Sequence, residues 1–229
     1  MCVLKEFSDQ ATLVAALAQD VARRLKEELA RQDRTVLVVS GGRSPVPLFQ
    51  ALARQVLPWE RVTVTLADER WVPADHSDSN EALVRAHLLQ GAAAAARMAP
   101  LFTGALTPEQ GAPAVCAALA ELPRPFCRVI LGMGEDGHIA SLFPGAAELA
   151  EGLITEAAAL AVHPPRAPHP RLSLSLRALL DTRDLVLMIS GPAKRRVLEQ
   201  ALEEGPVEDL PVRAILRQTA VPVSVCWAP

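Results

Sequence analysis

The sequence predicts an α/β protein built on a largely parallel sheet, and three observations carry that reading. Short apolar or β-branched runs alternate with longer segments whose apolar residues recur at helical spacing. The runs "TVLVVS", "CRVILGMG" and "DLVLMISG" are continuous rather than alternating, as expected of strands covered on both faces. Four strands end in polar or glycine-rich turns, "SGGRS", "ADER", "GMGEDGH" and "SGPAK". An open parallel sheet gathers such turns along the carboxyl ends of its strands, where these folds bind ligands.

Ser8 to Gln32 reads as a long amphipathic helix with Ser8 as N-cap and apolar residues at Leu13, Ala16, Leu17, Val21 and Leu25. Thr35–Ser40 is a buried strand. "SPVPLFQALARQ" follows as a helix whose prolines fall in the first turn, where a missing N–H costs little. "RVTVTLADERWV" reads as one strand running into a polar turn. "SDSNEALVRAHLLQ" is helical, with Asp78 and Glu81 spaced like a capping box. "TPEQGAPAVCAALAEL" is a further helix opened by Thr107-Pro108, and "CRVILGMG" a third buried strand. "RLSLSLRALL" alternates like a strand with one wetter face. "DLVLMISG" is a strand leading into the helix "PAKRRVLEQALEE"; "VRAILRQTA" and a last strand, "VPVSVCWA", close the chain. The Pro-rich "VHPPRAPHPR" is too short to separate domains, so residues 1–229 read as a single domain.

Composition excludes several function classes. The net charge is −3, no Lys/Arg-rich block stands out and Tyr is absent, which argues against nucleic acid as a partner. No apolar run reaches the roughly 18 residues of a membrane span, and the N-terminus lacks the features of a signal peptide. Four cysteines with no C-x-x-C pair read as reduced, mostly buried residues of a cytoplasmic protein.

Gly132-Met-Gly134-Glu-Asp-Gly137 matches G-x-G-x-x-G, the glycine fingerprint of dinucleotide sites, and Glu156 stands about 20 residues on, as the fingerprint requires. That reading needs a full helix after the third glycine, whereas Pro144-Gly145 would interrupt it. The alternative is catalytic. Asp136 and His138 stand two apart in a sharply bending turn. An imidazole of pKa about 6.5 accepts a proton near neutrality, and a nearby carboxylate can orient it. A bland role for His138, capping the next turn, stays open.

"SGGRS" (Ser40–Ser44) lies between a strand and a helix, where exposed amides and the helix N-terminus suit a phosphate, or simply make a tight turn. Lys194 of "SGPAK" occupies a helix's first turn, an unfavourable place for a cation unless an anion compensates. Lys194 is also one of only three lysines among 23 basic residues. In "ADERW", Asp68 and Glu69 point to opposite faces of an extended chain and so do not make a glycosidase-style pair. Arg70 could face an anion or pair with a carboxylate. "DHSDSN" resembles the start of a calcium loop, but Asn80 stands at its sixth position and Ala86 at its twelfth, so it reads as a loop and helix cap. His76, His87, His163 and His169 have no metal-ligand spacing, and no G-x-S-x-G elbow appears.

In the order "SGGRSP", "LADERWVPADHSDSN", "LGMGEDGHIASLFPG", "RLSLSL" and "GPAKRRVL", the chain resembles the 6-phosphogluconolactonase family from Ser40 to Leu198. Related glucosamine-6-phosphate deaminases share an "LG-x-G-x-DGH" turn but continue toward "FNEP", where this chain has "SLFP". Arg43 and Ile139 depart from residues common in the family. The resemblance implies a three-layer α/β/α sandwich with a mostly parallel sheet, of the deaminase/ribose-phosphate-isomerase type. It implies hydrolysis of 6-phosphoglucono-δ-lactone in the oxidative pentose phosphate pathway, with no metal or organic cofactor. His138 would be the general base and Asp136 its orienting partner. Arg70 or the Gly132–Gly137 amides would bind the oxyanion. Gly41, Gly42, Arg43, Ser44, Lys194 and Arg171 are candidates for the substrate phosphate. An amino-sugar-phosphate deaminase or isomerase, and a non-catalytic sugar-phosphate-binding regulator, are the rival readings. Monomer and homodimer stay equally open.

Overall fold

The computed structural model describes residues 2–229. The first half of the chain contains strand β1 (Cys2–Glu6), helix α1 (Gln10–Leu29), β2 (Thr35–Val39), α2 (Val46–Ala53), β3 (Val62–Leu66), β4 (Asp68–Arg70), α3 (Asn80–His87), β5 (Arg97–Ala99) and α4 (Pro108–Ala120). The second contains β6 (Arg128–Leu131), α5 (Leu149–Ile154), β7 (Ala159–Val162), β8 (Arg171–Leu174), α6 (Leu176–Leu180), β9 (Leu185–Ser190), α7 (Gly191–Leu202), α8 (Arg213–Arg217) and β10 (Val223–Ala228).

Seven strands form one sheet in the order β1-β10-β9-β6-β2-β3-β5, and every pairing in it is parallel. Every residue of β2, β3 and β6 is buried, so helices cover both faces and the layers number three. α1 packs on α2, β2 and β10, and α7 packs on α8, β9 and β10. The apolar stripe of α1 recurs at three- and four-residue intervals through Leu13, Val14, Leu17, Ala18, Val21 and Leu25, all buried. Each buried leucine or valine contributes about 1.5–3 kcal/mol relative to exposure. Below the sheet's amino edge Arg128 is buried in a bidentate pair with Asp184 (2.5 and 2.9 Å) and reaches Asp20 at 2.7 Å, tying β6 to α1. Among the described residues no helix is long and apolar enough to cross a membrane.

The strand order reverses direction between β2 and β6: the chain leaves β2 toward β3 on one side and reaches β9 from β6 on the other. The two strands nevertheless pair directly, Leu37 with Arg128 through Val39 with Ile130. A crevice therefore opens at their carboxyl ends, at the topological switch point.

Several expectations need correction. "RVTVTLADERWV" is two strands, because the chain bends at Ala67 and β4 leaves the main sheet for a second, antiparallel one of order β4-β8-β7. "RLSLSLRALL" is half strand, half helix: Ser175 turns its hydroxyl onto the amide of Ala178 (3.2 Å) and starts α6. Asp9, not Ser8, caps α1, accepting from the Thr12 amide at 2.8 Å. Ser79, rather than an Asp78–Glu81 box, caps α3. No helix follows Gly137 directly; the next begins at Leu149, which removes the geometry a pyrophosphate site needs. The four cysteines are unpaired; Cys127 and Cys226 are buried, and burial pushes the Cys127 thiol up to about 11.

Candidate active site

The switch-point crevice is a cavity of about 310 Å³. Its floor is the carboxyl end of the sheet: Ser40–Gly42 beyond β2, Asp68 and Arg70 beyond β3, Gly132–Gly134 beyond β6, and Lys194 in the first turn of α7 beyond β9. Arg171 from β8, Asn80 from α3, and His138 and Phe143 complete the wall.

The turn after β6 folds back on itself. The Gly134 amide donates to the His138 carbonyl at 2.9 Å, and Gly137 N–H donates to the Gly134 carbonyl at 3.1 Å. This places His138 Nδ1 2.6 Å from Asp136 Oδ1, which also accepts from the His138 amide at 3.2 Å. A Cβ on Gly134 would overlap both His138 Nδ1 and Asp136 Oδ1, so only glycine admits the pair. Burial works to raise the Asp136 pKa, but the His138 hydrogen bond and charge outweigh it and hold the carboxyl below its ordinary range. An ionised carboxylate accepts only, so Nδ1 carries the proton and Nε2 of the neutral ring keeps its free lone pair. The ring stacks at 4.2 Å on Phe143 and keeps 29% of its surface exposed.

Asp68 and Glu69 do point to opposite sides. Glu69 is buried at the start of α3, where it accepts from the amides of Arg70, Asn80 and Glu81, each at 2.7 Å, and from Ser79 Oγ at 3.1 Å. Burial raises its pKa against those bonds. It fixes the helix end that carries Asn80. Asp68 faces the cavity and accepts from Ser141 Oγ at 2.5 Å.

The cations are under-partnered. Arg70 donates to the Asp78 carbonyl at 2.5 Å, and no carboxylate among the described residues pairs with it. Arg171 is buried, 3.9 Å from Asp68 Oδ2, and donates to the Pro168 carbonyl at 3.3 Å. The two arginines are register partners across β4 and β8, where like charges repel. Burial pulls the Arg171 pKa down, with Asp68 opposing and Arg70 adding to the fall. Burial likewise lowers Lys194, and Glu135 opposes. Four residues of the lining each carry a buried polar atom without a protein partner: Ser40 Oγ, Arg70 Nε, Asn80 Oδ1 and Arg171 Nε.

Of the residues expected from the sequence, His138, Arg70, Gly41, Gly42, Ser44, Lys194 and Arg171 meet in this cavity, with Asp136 bonded behind His138. Arg43 does not: its side chain is exposed and outside the lining, because the turn directs it to solvent. Ser40, Asp68, Asn80 and Phe143 were not singled out for the site: Ser40 entered only as the start of its turn, Asp68 as a carboxylate that does not pair with Glu69, and Asn80 as part of a loop and helix cap. "VHPPRAPHPR" forms the connection from β7 to β8. Ala167 reaches the cavity wall, and His169 Nε2 lies 3.0 Å from Asp78 Oδ2.

An open parallel sheet whose carboxyl edge joins a histidine–carboxylate pair to under-partnered cations defines an α/β enzyme for a small anionic substrate. The chain matches the family described as glucosamine-6-phosphate isomerases/6-phosphogluconolactonase over residues 8–227. It is 42% identical to a 6-phosphogluconolactonase of Pseudomonas putida, covering 98% of this chain and 92% of that one. It is 45% identical to a 6-phosphogluconolactonase of Mesorhizobium japonicum, covering 97% and 94%. The crystal structure of a 6-phosphogluconolactonase from Shewanella baltica superposes with a TM-score of 0.98 at 44% identity, covering 100% of this chain and 98% of that one. The chain belongs to the 6-phosphogluconolactonase family.

Proposed function

We propose that the protein hydrolyses 6-phosphoglucono-δ-lactone to 6-phosphogluconate in the oxidative pentose phosphate pathway. One observation carries the reading: a histidine with its Nδ1 held by a carboxylate shares a cavity with the Gly41–Ser44 turn and Lys194. A lactone is an activated ester, so water attacks once a base takes its proton. His138 Nε2 accepts that proton as the water oxygen bonds to the lactone carbonyl carbon. Asp136, 2.6 Å away, stabilises the imidazolium that forms. The carbonyl oxygen becomes an oxyanion, for which the Arg70 guanidinium and the turn amides are the donors at hand. Collapse breaks the bond to the ring oxygen, which takes the proton from His138, leaving an open-chain acid. The phosphate rests on the amides of the Gly41–Ser44 turn and on Lys194, with Arg171 beside it, and holds the carbonyl near the base. The Arg43 side chain, exposed and outside the lining, is given no phosphate contact in this reading. The unpaired cysteines fit a cytoplasmic setting.

The test is a coupled assay on freshly generated lactone, corrected for spontaneous opening, beside glucosamine 6-phosphate with ammonia as readout. Acid release from the lactone alone is expected. Ammonia release would assign the chain to the deaminase branch, and binding without either product would make it a regulator. Lys194→Ala is expected to raise KM about 10- to 100-fold, the worth of a charge-assisted bond, with kcat nearly unchanged, in steady-state kinetics. A parallel loss in kcat would place Lys194 at the reacting carbon instead.

A further inference from the structure

The Pro-rich connection from β7 to β8 has no task in the reaction outlined above, yet one of the two cavity arginines is anchored on it and the other on the loop it touches. Arg171 Nη2 donates to the Pro168 carbonyl at 3.3 Å. Arg70 Nη1 donates to the Asp78 carbonyl at 2.5 Å. Pro168 precedes β8, whereas Asp78 precedes α3. One side-chain contact fastens the two loops together: His169 Nε2 lies 3.0 Å from Asp78 Oδ2. Neither His169 nor Asp78 lines the cavity, although both arginines do.

His169 is also a point of strain. Its φ is 67°, in the left-handed region that residues other than glycine seldom enter. Rotation about that bond sets the direction of the preceding peptide, whose carbonyl is that of Pro168. The left-handed turn therefore directs this carbonyl back toward Arg171 two residues on. Such a conformation persists only where the surroundings hold it. The loop has few donors of its own for that purpose, since Pro164, Pro165, Pro168 and Pro170 carry no N–H. The bond to Asp78 supplies the hold. The hydrogen bond from His169 is the largest influence keeping the Asp78 carboxyl below its ordinary range. An ionised carboxylate accepts only, so His169 Nε2 is the donor.

We infer that His169 is a positioning residue for the substrate anion: its bond to Asp78 joins the two loops whose carbonyls aim Arg70 and Arg171 at the cavity. The inference rests on the sugar-lactone reading and adds to it a residue that acts through others. The side chains of the pair are 30% and 50% exposed, and exposed pairs contribute little to the stability of a fold. Its loss should therefore be felt in binding and hardly at all in the melting temperature of the unliganded protein.

The experiment measures the Kd of 6-phosphogluconate by titration calorimetry, beside turnover of the lactone, for the wild type and four variants. Asp78→Ala removes the acceptor and keeps the backbone carbonyl that Arg70 uses. His169→Asn keeps a residue that tolerates the left-handed backbone but shortens the reach. Each is expected to weaken binding about 3- to 10-fold, the worth of one hydrogen bond, and the two together no more than either alone. Asp78→Asn retains an oxygen for the His169 N–H and should bind like the wild type. In an Arg171→Gln background Asp78→Ala should cost a smaller factor, because one of the two anchored groups is gone. Where His169→Asn does not fold, the Asp78 variants carry the test. Wild-type affinity in Asp78→Ala overturns the inference. So does an equal loss in Asp78→Asn, or an undiminished factor in the Arg171→Gln background, as a merely structural role would give. A wild type that binds 6-phosphogluconate but leaves the lactone closed overturns the sugar-lactone reading and not the tie; one that does neither overturns both.

Discussion

His138→Ala lowers kcat by about 10²- to 10⁴-fold, the range expected for removing a positioned general base, while affinity for 6-phosphogluconate stays within a few-fold. The split follows from where the groups lie. The proposed phosphate contacts come from the turns after β2 and β9 and from Arg171 on β8, whereas His138 comes from the turn after β6. Truncation also removes a ring stacked at 4.2 Å on Phe143, so His138→Gln, which keeps most of the volume, serves as the control and should lose as much. Ordinary turnover by both variants would end the assignment of the base. Loss of product binding to the same degree as rate would recast His138 as a binding group.

Gly134→Ala is expected to cost about 10²-fold in kcat, because displacing a reacting group by an ångström has that order of effect. The added methyl would overlap His138 Nδ1 and Asp136 Oδ1 together, so the pair cannot keep its 2.6 Å contact. The three atoms nearest that methyl all belong to His138 and Asp136, so KM should move little. The decisive comparison is the double variant. If Gly134 acts by admitting the histidine–aspartate pair, Gly134→Ala in a His138→Ala background adds almost nothing, since contacting residues are non-additive. Independent, multiplying losses would show that the glycine serves the turn in another way.

Much of this was legible before any coordinates. Continuous β-branched runs gave β2, β6 and β9, and the polar turns following them converge on one cavity. What was missed has physical causes. β5 has three residues and β7 reads "ALAV" in an alanine-rich stretch, too little pattern to stand out. β1 is an exposed edge strand without a buried face to mark it. "RLSLSL" alternates identically through strand and turn, and only the contact of Ser175 with Ala178 shows where one becomes the other. The position of Asn80 at the cavity wall depends on Glu69, eleven residues earlier, holding the helix end, which no local motif encodes. Arg43 looked like a phosphate ligand because its neighbours do line the cavity; the backbone of a tight turn alternates directions, and its side chain leaves.

Arg70 and Arg171 stand opposite one another in a hydrogen-bonded ladder. Their mutual repulsion is greatest when no anion lies between them. An occupant that satisfies both guanidiniums holds β4 to β8 from the side, so the small sheet becomes more cohesive as the pocket fills. Differential scanning calorimetry should show the melting temperature climbing with added 6-phosphogluconate, as mass action on the native state requires. In the double variant Arg70→Gln/Arg171→Gln the climb should be largely lost. Heat tolerance in this protein would then vary with how much sugar acid the cell holds.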